Sequence, residues 1–183
     1  DECTSYKEYI DAIKETLKID LKQKYPEITF RRGSSVREDL QRIFAERNER
    51  FVFVFDEWDS VFHMPFITEN DKQSYLLFLK GLLKDKPYVA LAYMTGILPI
   101  AKYSSGSELN MFLEYNMATR VRFSEYFGFS DEEVDMLYRR YLKRTKKPKI
   151  TRDDLREWYD GYHTAAGDRL YNPRSVVCAL TDN

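Results

Sequence analysis

Phe51-Val52-Phe53-Val54-Phe55-Asp56-Glu57-Trp58-Asp59 sets five consecutive apolar residues against three carboxylates in the next four positions. A strand with one face in water alternates apolar and polar side chains, whereas a strand covered on both faces need not. Five positions without a polar residue therefore predict a central strand of a parallel sheet, buried on both sides. A second run, Tyr88-Val89-Ala90-Leu91-Ala92-Tyr93-Met94, follows one helical stripe carried by Tyr75, Leu76, Leu79, Leu82 and Leu83. Strand, helix and strand at a pitch of roughly 30 residues form a βαβ unit, so the two strands are expected to be parallel. Arg120 to Phe123 is a candidate third strand.

Working outward, Ser5 and Glu8 open a helix whose stripe is Tyr6, Ile10, Ile13, Leu17 and Leu21, and Pro26 stops it. Glu27 to Phe30 is a short strand candidate, and Gly33-Ser34-Ser35 is a turn that offers an N-cap to a helix carrying Val36, Leu40, Ile43 and Phe44. Asn48 and Glu49 end that helix. Beyond the sheet, Ser130 and Glu133 form a capping box before Val134, Leu137, Tyr138 and Tyr141. Thr151 caps a short helix with Leu155, Trp158 and Tyr159, and Gly161 falls at its expected C′ position. Asn172-Pro173 reads as N-cap and N1 of a last helix. The expected organisation is an α/β body over residues 1–128 and a small helical lid over 129–183.

The chain has 183 residues, 43% of them hydrophobic, enough for one domain with a real core. Lys and Arg number 29 against 30 Asp and Glu, so the net charge of -1 exerts no overall pull toward nucleic acid or an anionic membrane. The basic stretch Arg139, Arg140, Lys143, Arg144, Lys146, Lys147 and Lys149 reads as a solvated helix end. Cys3 and Cys178 offer no disulfide framework, and with only His63 and His163 beside them a zinc site is not expected. The longest apolar run is far too short for a membrane span and no signal peptide is visible, so a cytoplasmic location is expected. Asp1 and Asn183 both read as cuts in a longer polypeptide.

Ligands of open α/β sheets bind beyond the carboxyl ends of the strands, where Asp56 and Glu57 emerge. Apolar residues followed by Asp-Glu is the Walker B form. In it the Asp, here Asp56, holds the water shell of Mg²⁺ beside nucleotide phosphates, and Glu57 orients or deprotonates the attacking water. Asp59 is placed to support either of them as a further cofactor-binding carboxylate. Thr95, at the end of the second run and before Gly96, brings a hydroxyl to the same rim, as a sensor for phosphate or water or simply as a turn residue. Two other uses compete. A metal-dependent nuclease would gather Asp56, Glu57 and Asp59, but restriction-type sites need an acidic-x-Lys element on the neighbouring strand, and Val89 to Met94 carries no charge. A non-catalytic interaction or scaffold module would draw on 14 tyrosines and 12 phenylalanines.

Six segments occur in order: FVFVFDEWD, PYVALAYMTGILPIAKY, ELNMFLEYNM, FSEYFGFSDEEV, LREWYDGYH and LYNPRSVVCAL. Together they resemble the bacterial AAA-ATPase-like family, whose members commonly carry a PD-(D/E)XK nuclease-like domain toward the C-terminus. The resemblance spans roughly residues 35–180, with Trp58 where Tyr is more usual. It implies a P-loop fold with ATP and Mg²⁺ as cofactors, Asp56 as the Mg²⁺-associated carboxylate, Glu57 as the water-activating one and Thr95 at the sensor position. It implies that Tyr126 to Phe129 leads into the lid, which Trp158 to Tyr162 and Tyr171 to Pro173 form; Trp158 and Tyr162 are expected to pack the lid rather than touch adenine. The chain departs from the family in one respect: it has no G-x-x-x-x-G-K-[ST] loop, and Arg31-Arg32-Gly33-Ser34-Ser35 reads as a turn. Backbone N–H groups and that lysine supply most phosphate binding. ATP is therefore expected to bind this chain weakly or not at all. The expected partners are an N-terminal phosphate-loop segment, a C-terminal nuclease-like domain, and a second copy filling the sheet as a homo-oligomer. Lys102, Arg120 and Arg122 are candidates to stabilise transition-state charge, with surface ion pairs as their plainer use.

Overall fold

The structure is a computed structural model that describes residues 3–103 and 109–181; Glu108 of the third resembling segment, and the ends Asp1 and Asn183, lie outside the described residues. The chain divides into two compact units, residues 1–113 and 114–183. The division falls 15 residues before the boundary expected at 128.

The first unit runs α1 (Tyr6–Lys24), α2 (Val36–Arg47), β1 (Phe51–Phe55), α3 (Glu69–Leu83), β2 (Val89–Met94) and a single turn α4 (Ile100–Tyr103). Local chemistry sets the helix ends. Ser5 caps α1 by accepting from the Glu8 N–H, but the Glu8 carboxylate accepts from Thr4 instead of the Ser5 N–H, so the capping box expected of Ser5 and Glu8 is only half formed. Ser35 and Glu38 close a capping box on α2, and Thr68 with Asp71 does the same for α3. Asn48, left-handed at φ 53°, ends α2. Glu27 to Phe30 is not a strand: Ile28 turns in to pack with Tyr25 and Ile43, and the chain there is turn and coil.

β1 and β2 are parallel, as the βαβ reading requires, with Phe51 opposite Val89 and Phe55 opposite Met94. One sheet face carries Phe51, Phe53 and Phe55 onto Val36, Leu40, Leu82, Leu83 and Tyr88. A second cluster gathers Ile10, Trp58, Val61, Phe62, Tyr75, Leu76, Leu79 and Ile100 around α3. Each such side chain contributes about 1.5–3 kcal/mol by leaving water. The other sheet face is open, with Val52 60%, Val54 68%, Leu91 57% and Tyr93 57% exposed. The expectation of a strand covered on both faces is thus met on one side only. The run alternates in size, Phe inward and Val outward, and not in polarity. An absence of polar positions therefore marks what a face is made of, not whether this chain covers it.

The second unit holds a 3-10 turn at Ser124–Phe127, α5 (Asp131–Arg144), α6 (Arg152–Tyr159), β3 (Asp160–His163), β4 (Arg169–Tyr171) and α7 (Pro173–Thr181). Ser130 and Glu133 form the capping box of α5, Thr151 accepts from the Asp154 N–H, and Asn172 accepts from the Ser175 N–H ahead of Pro173. Val134, Leu155, Tyr171, Val176 and Ala179 make its core.

Three expectations change here. Arg120 to Phe123 is turn, because Val121 accepts from the Ser124 N–H and Phe123 is left-handed at φ 70°. Gly161 is not a helix stop: the chain passes directly from α6 into β3, which pairs antiparallel with β4, so this unit is not wholly helical. Trp158 does not pack, being 74% exposed, and Tyr162 is 45% exposed. On α6 the inward pair is Leu155 and Tyr159, spaced i, i+4, which leaves Trp158 on the flank.

Candidate functional site

The site lies at the carboxyl end of the β1–β2 pair, in the first unit. Pairing continues past the last strand residues, since the Thr95 N–H donates to the Phe55 carbonyl at 2.8 Å and the Trp58 N–H donates to the Thr95 carbonyl at 2.8 Å. These bonds draw the turn after β1 across the mouth of β2. Glu57 makes that turn in the left-handed region, at φ 51°, a conformation that costs a residue with a Cβ roughly 1 kcal/mol or more.

The Thr95 hydroxyl joins both acidic residues. It donates to the Asp56 carboxylate, and its oxygen accepts the Glu57 N–H at 3.0 Å. Both acidic residues are exposed, and among the described residues no Lys, Arg or His pairs with either carboxylate. The structure brings Asp56, Glu57 and Thr95 together on one rim.

It separates Asp59 from them. Asp59 is 2% exposed, and its Oδ2 accepts the Ile97 N–H at 3.0 Å and the Leu98 N–H at 2.7 Å. Trp58 is buried beside it, edge-on to Phe62 with ring centroids 5.4 Å apart. Gly96 lets the two strand ends approach: a Cβ there would lie 2.5 Å from the Trp58 indole and 2.7 Å from the Asp59 carboxylate. Burial pushes the nearby Tyr75 phenol above its ordinary range, with smaller upward contributions from Tyr9, Tyr6 and Asp59.

The roles of Trp58 and Gly96 are missing from the sequence reading, and so are the two amides of Ile97 and Leu98. A sequence signal for Gly96 existed, in a glycine directly following the strand-end hydroxyl. The partners of Asp59 lie 38 and 39 residues away, and no local pattern announces them.

The donor set admits one kind of metal better than others. Among the described residues, no group of three or more His, Cys, Asp or Glu is placed to hold an ion by itself. Mg²⁺ is commonly held by one or two carboxylates, its own waters and substrate phosphates, and one exposed Asp56 fits that use. ATP fits less well: no phosphate-cradling loop exists in the sequence. Of the candidate cations, Lys102 is exposed on α4, while Arg120 and Arg122 belong to the second unit and stack on Tyr115 and Phe123 at 5.5 and 4.7 Å. Both arginines are engaged by aromatic rings, and among the described residues neither forms the surface ion pair expected of it. No helix among the described residues is long and apolar enough to cross a membrane. Comparison of the chain with protein-family models, with curated proteins and with solved structures found no match.

Proposed function

We propose that the chain is a nucleotide-handling module of the AAA-ATPase-like kind, working with a phosphate-binding loop supplied by another segment or chain. The observation that carries this reading is the single hydroxyl of Thr95 bonded to both Asp56 and Glu57 at the end of a parallel strand pair. Asp56 offers a carboxylate to the water shell of Mg²⁺, which when bound neutralises phosphate charge. Glu57 carries a second carboxylate from a turn fixed by its own N–H, as a residue that orients or deprotonates water needs. Thr95 holds the two in register and has a hydroxyl to offer a phosphate oxygen once it releases Asp56. The nuclease alternative loses support because Asp59 is committed to backbone amides, which leaves two carboxylates at the rim.

The test is Mn²⁺ titration of the isotope-labelled full chain, alone and with ATP, followed by paramagnetic broadening of amide signals. Selective broadening around residues 56, 57 and 95 that Asp56→Asn removes supports the reading. Broadening elsewhere, or none with either probe, overturns it.

The open sheet face favours a second reading, an interaction module. A parallel sheet is normally covered on both faces, and Val52, Val54, Leu91 and Tyr93 form an apolar patch awaiting a cover. Sedimentation of the full chain discriminates: a concentration-dependent dimer lost in Val54→Lys supports self-association through this face.

A further inference from the structure

We propose that Asp59 is a positioning residue for the rim, acting through the backbone after β2, and that it is not itself a ligand; this rests on the reading of Asp56, Glu57 and Thr95 as the working site. Asp59 sits three residues beyond Asp56, where a third acidic side chain at a strand end invites assignment as a metal or phosphate-water ligand. Its surroundings assign it otherwise. The side chain is buried, Oδ2 is occupied by two backbone N–H groups, and Oδ1 lies against Gly96.

The mechanical consequence follows from the order of residues. Thr95 and Gly96 form the link between the strand, fixed by its ladder to β1, and Ile97-Leu98, fixed by the Asp59 carboxylate. The segment after β2 is thus held at both ends, and the direction of the Thr95 Cα–Cβ bond, from which its hydroxyl reaches Asp56 and the Glu57 N–H, has little room to vary. Trp58 closes the arrangement from the same turn, with its indole filling the space that the absent Gly96 side chain leaves. Asp59 and Glu57 come from one turn and Thr95 from the facing segment, so the clamp ties together the two halves of the site. A carboxylate suits this use because one oxygen accepts two convergent N–H groups as charge-assisted bonds. An unmet pair of buried amides is the alternative if it is lost.

The test separates clamp from ligand with variants that keep or remove the accepting oxygen. Asp59→Asn retains a side-chain carbonyl able to accept both N–H groups but loses the charge; Asp59→Leu loses the acceptor at similar volume. Asp59→Ser is a smaller variant for use if the leucine form does not fold. The primary readout is solvent exchange of the Glu57 amide in the full chain without metal, since that N–H bonds the Thr95 hydroxyl oxygen. Asp59→Leu, or Asp59→Ser, is expected to raise Glu57 exchange at least tenfold while the amides within β1 stay protected. Asp59→Asn is expected to remain within about threefold of wild type, and Thr95→Val to reproduce the loss. Mn²⁺ affinity should follow the same order. Unchanged Glu57 exchange in the acceptor-free variants overturns the clamp. So does an asparagine variant as impaired in Mn²⁺ binding as the leucine one, which would make the charge of Asp59 a ligand. If Glu57 exchange behaves as expected but wild type shows no Mn²⁺ at the rim, the clamp stands and the nucleotide reading falls.

Discussion

The two units use their carboxylates in opposite ways. In the second, Asp131 is saturated: Arg152 and Arg156 donate to it at 2.5 and 2.6 Å, the Tyr171 hydroxyl donates at 2.6 Å, and Arg152 also reaches Asp135 at 2.6 Å. Arg152 stacks over the Tyr171 ring as well, 5.2 Å from its centre. The Tyr171 hydrogen bond, reinforced by both arginines, holds the Asp131 carboxyl down to about 2. At the rim of the first unit, Asp56 and Glu57 face solvent with a threonine between them and no cation among the described residues. A carboxylate surrounded by its own fold's donors is spent on the fold, whereas one left with a single neutral partner keeps its lone pairs for something else. This contrast, more than the Asp-Glu pair itself, is what supports the proposal of a site at the rim.

The contrast can be broken by removing the partners on each side, beginning where most is at stake. Arg152→Ala should cost about 2–3 kcal/mol, since it strips charge-assisted bonds from two aspartates and the stacking on Tyr171. Urea unfolding of the full chain measures this, and a loss below about 1 kcal/mol would show the network to be ornamental. Next in size is the response to acid. The Asp131 carboxyl lies below its ordinary 3.8, so its contribution is fully present above pH 3.8 and disappears as pH falls toward about 2. Unfolding midpoints at pH 5, 3 and 2 should therefore drop over this window, and Asp131→Asn should flatten that part of the profile. Asp56→Asn should change stability by no more than about 0.5 kcal/mol in either direction, because the residue is exposed and its amide can still accept the Thr95 hydroxyl. A large loss there would make Asp56 as structural as Asp131 and erase the distinction. Tyr93→Lys should be the mildest, within about 0.5 kcal/mol, if its sheet face stands in water as described.

Much of the scaffold was legible because it is written locally. Ser35, Ser130, Thr151 and Asn172 each announce a helix start within three residues of the group they bond, and all four act as read. Parallel pairing of β1 with β2 was legible because only one helix separates two apolar runs. What escaped depends on distant partners. The open face of β1 looks in sequence like a buried one, since hydrophobicity records a demand for cover and not its source. Arg120 to Phe123 has the composition of a strand, but among the described residues no neighbour offers it a ladder. Of the site, the residues at the rim could be named from the strand end alone. The inward rotation of Asp59 could not, because the amides it serves come from across the strand pair.

Glu57 keeps a side chain at a backbone angle where glycine would sit more easily, and on the proposed function this sets stability and chemistry against each other at one position. Glu57→Gly should relax the turn and leave the fold as firm or firmer, by up to about 1 kcal/mol, while deleting the carboxylate. The strain is thus a permanent tension carried by the resting molecule, and on the proposed function the position is one where making the protein sturdier means making it idle.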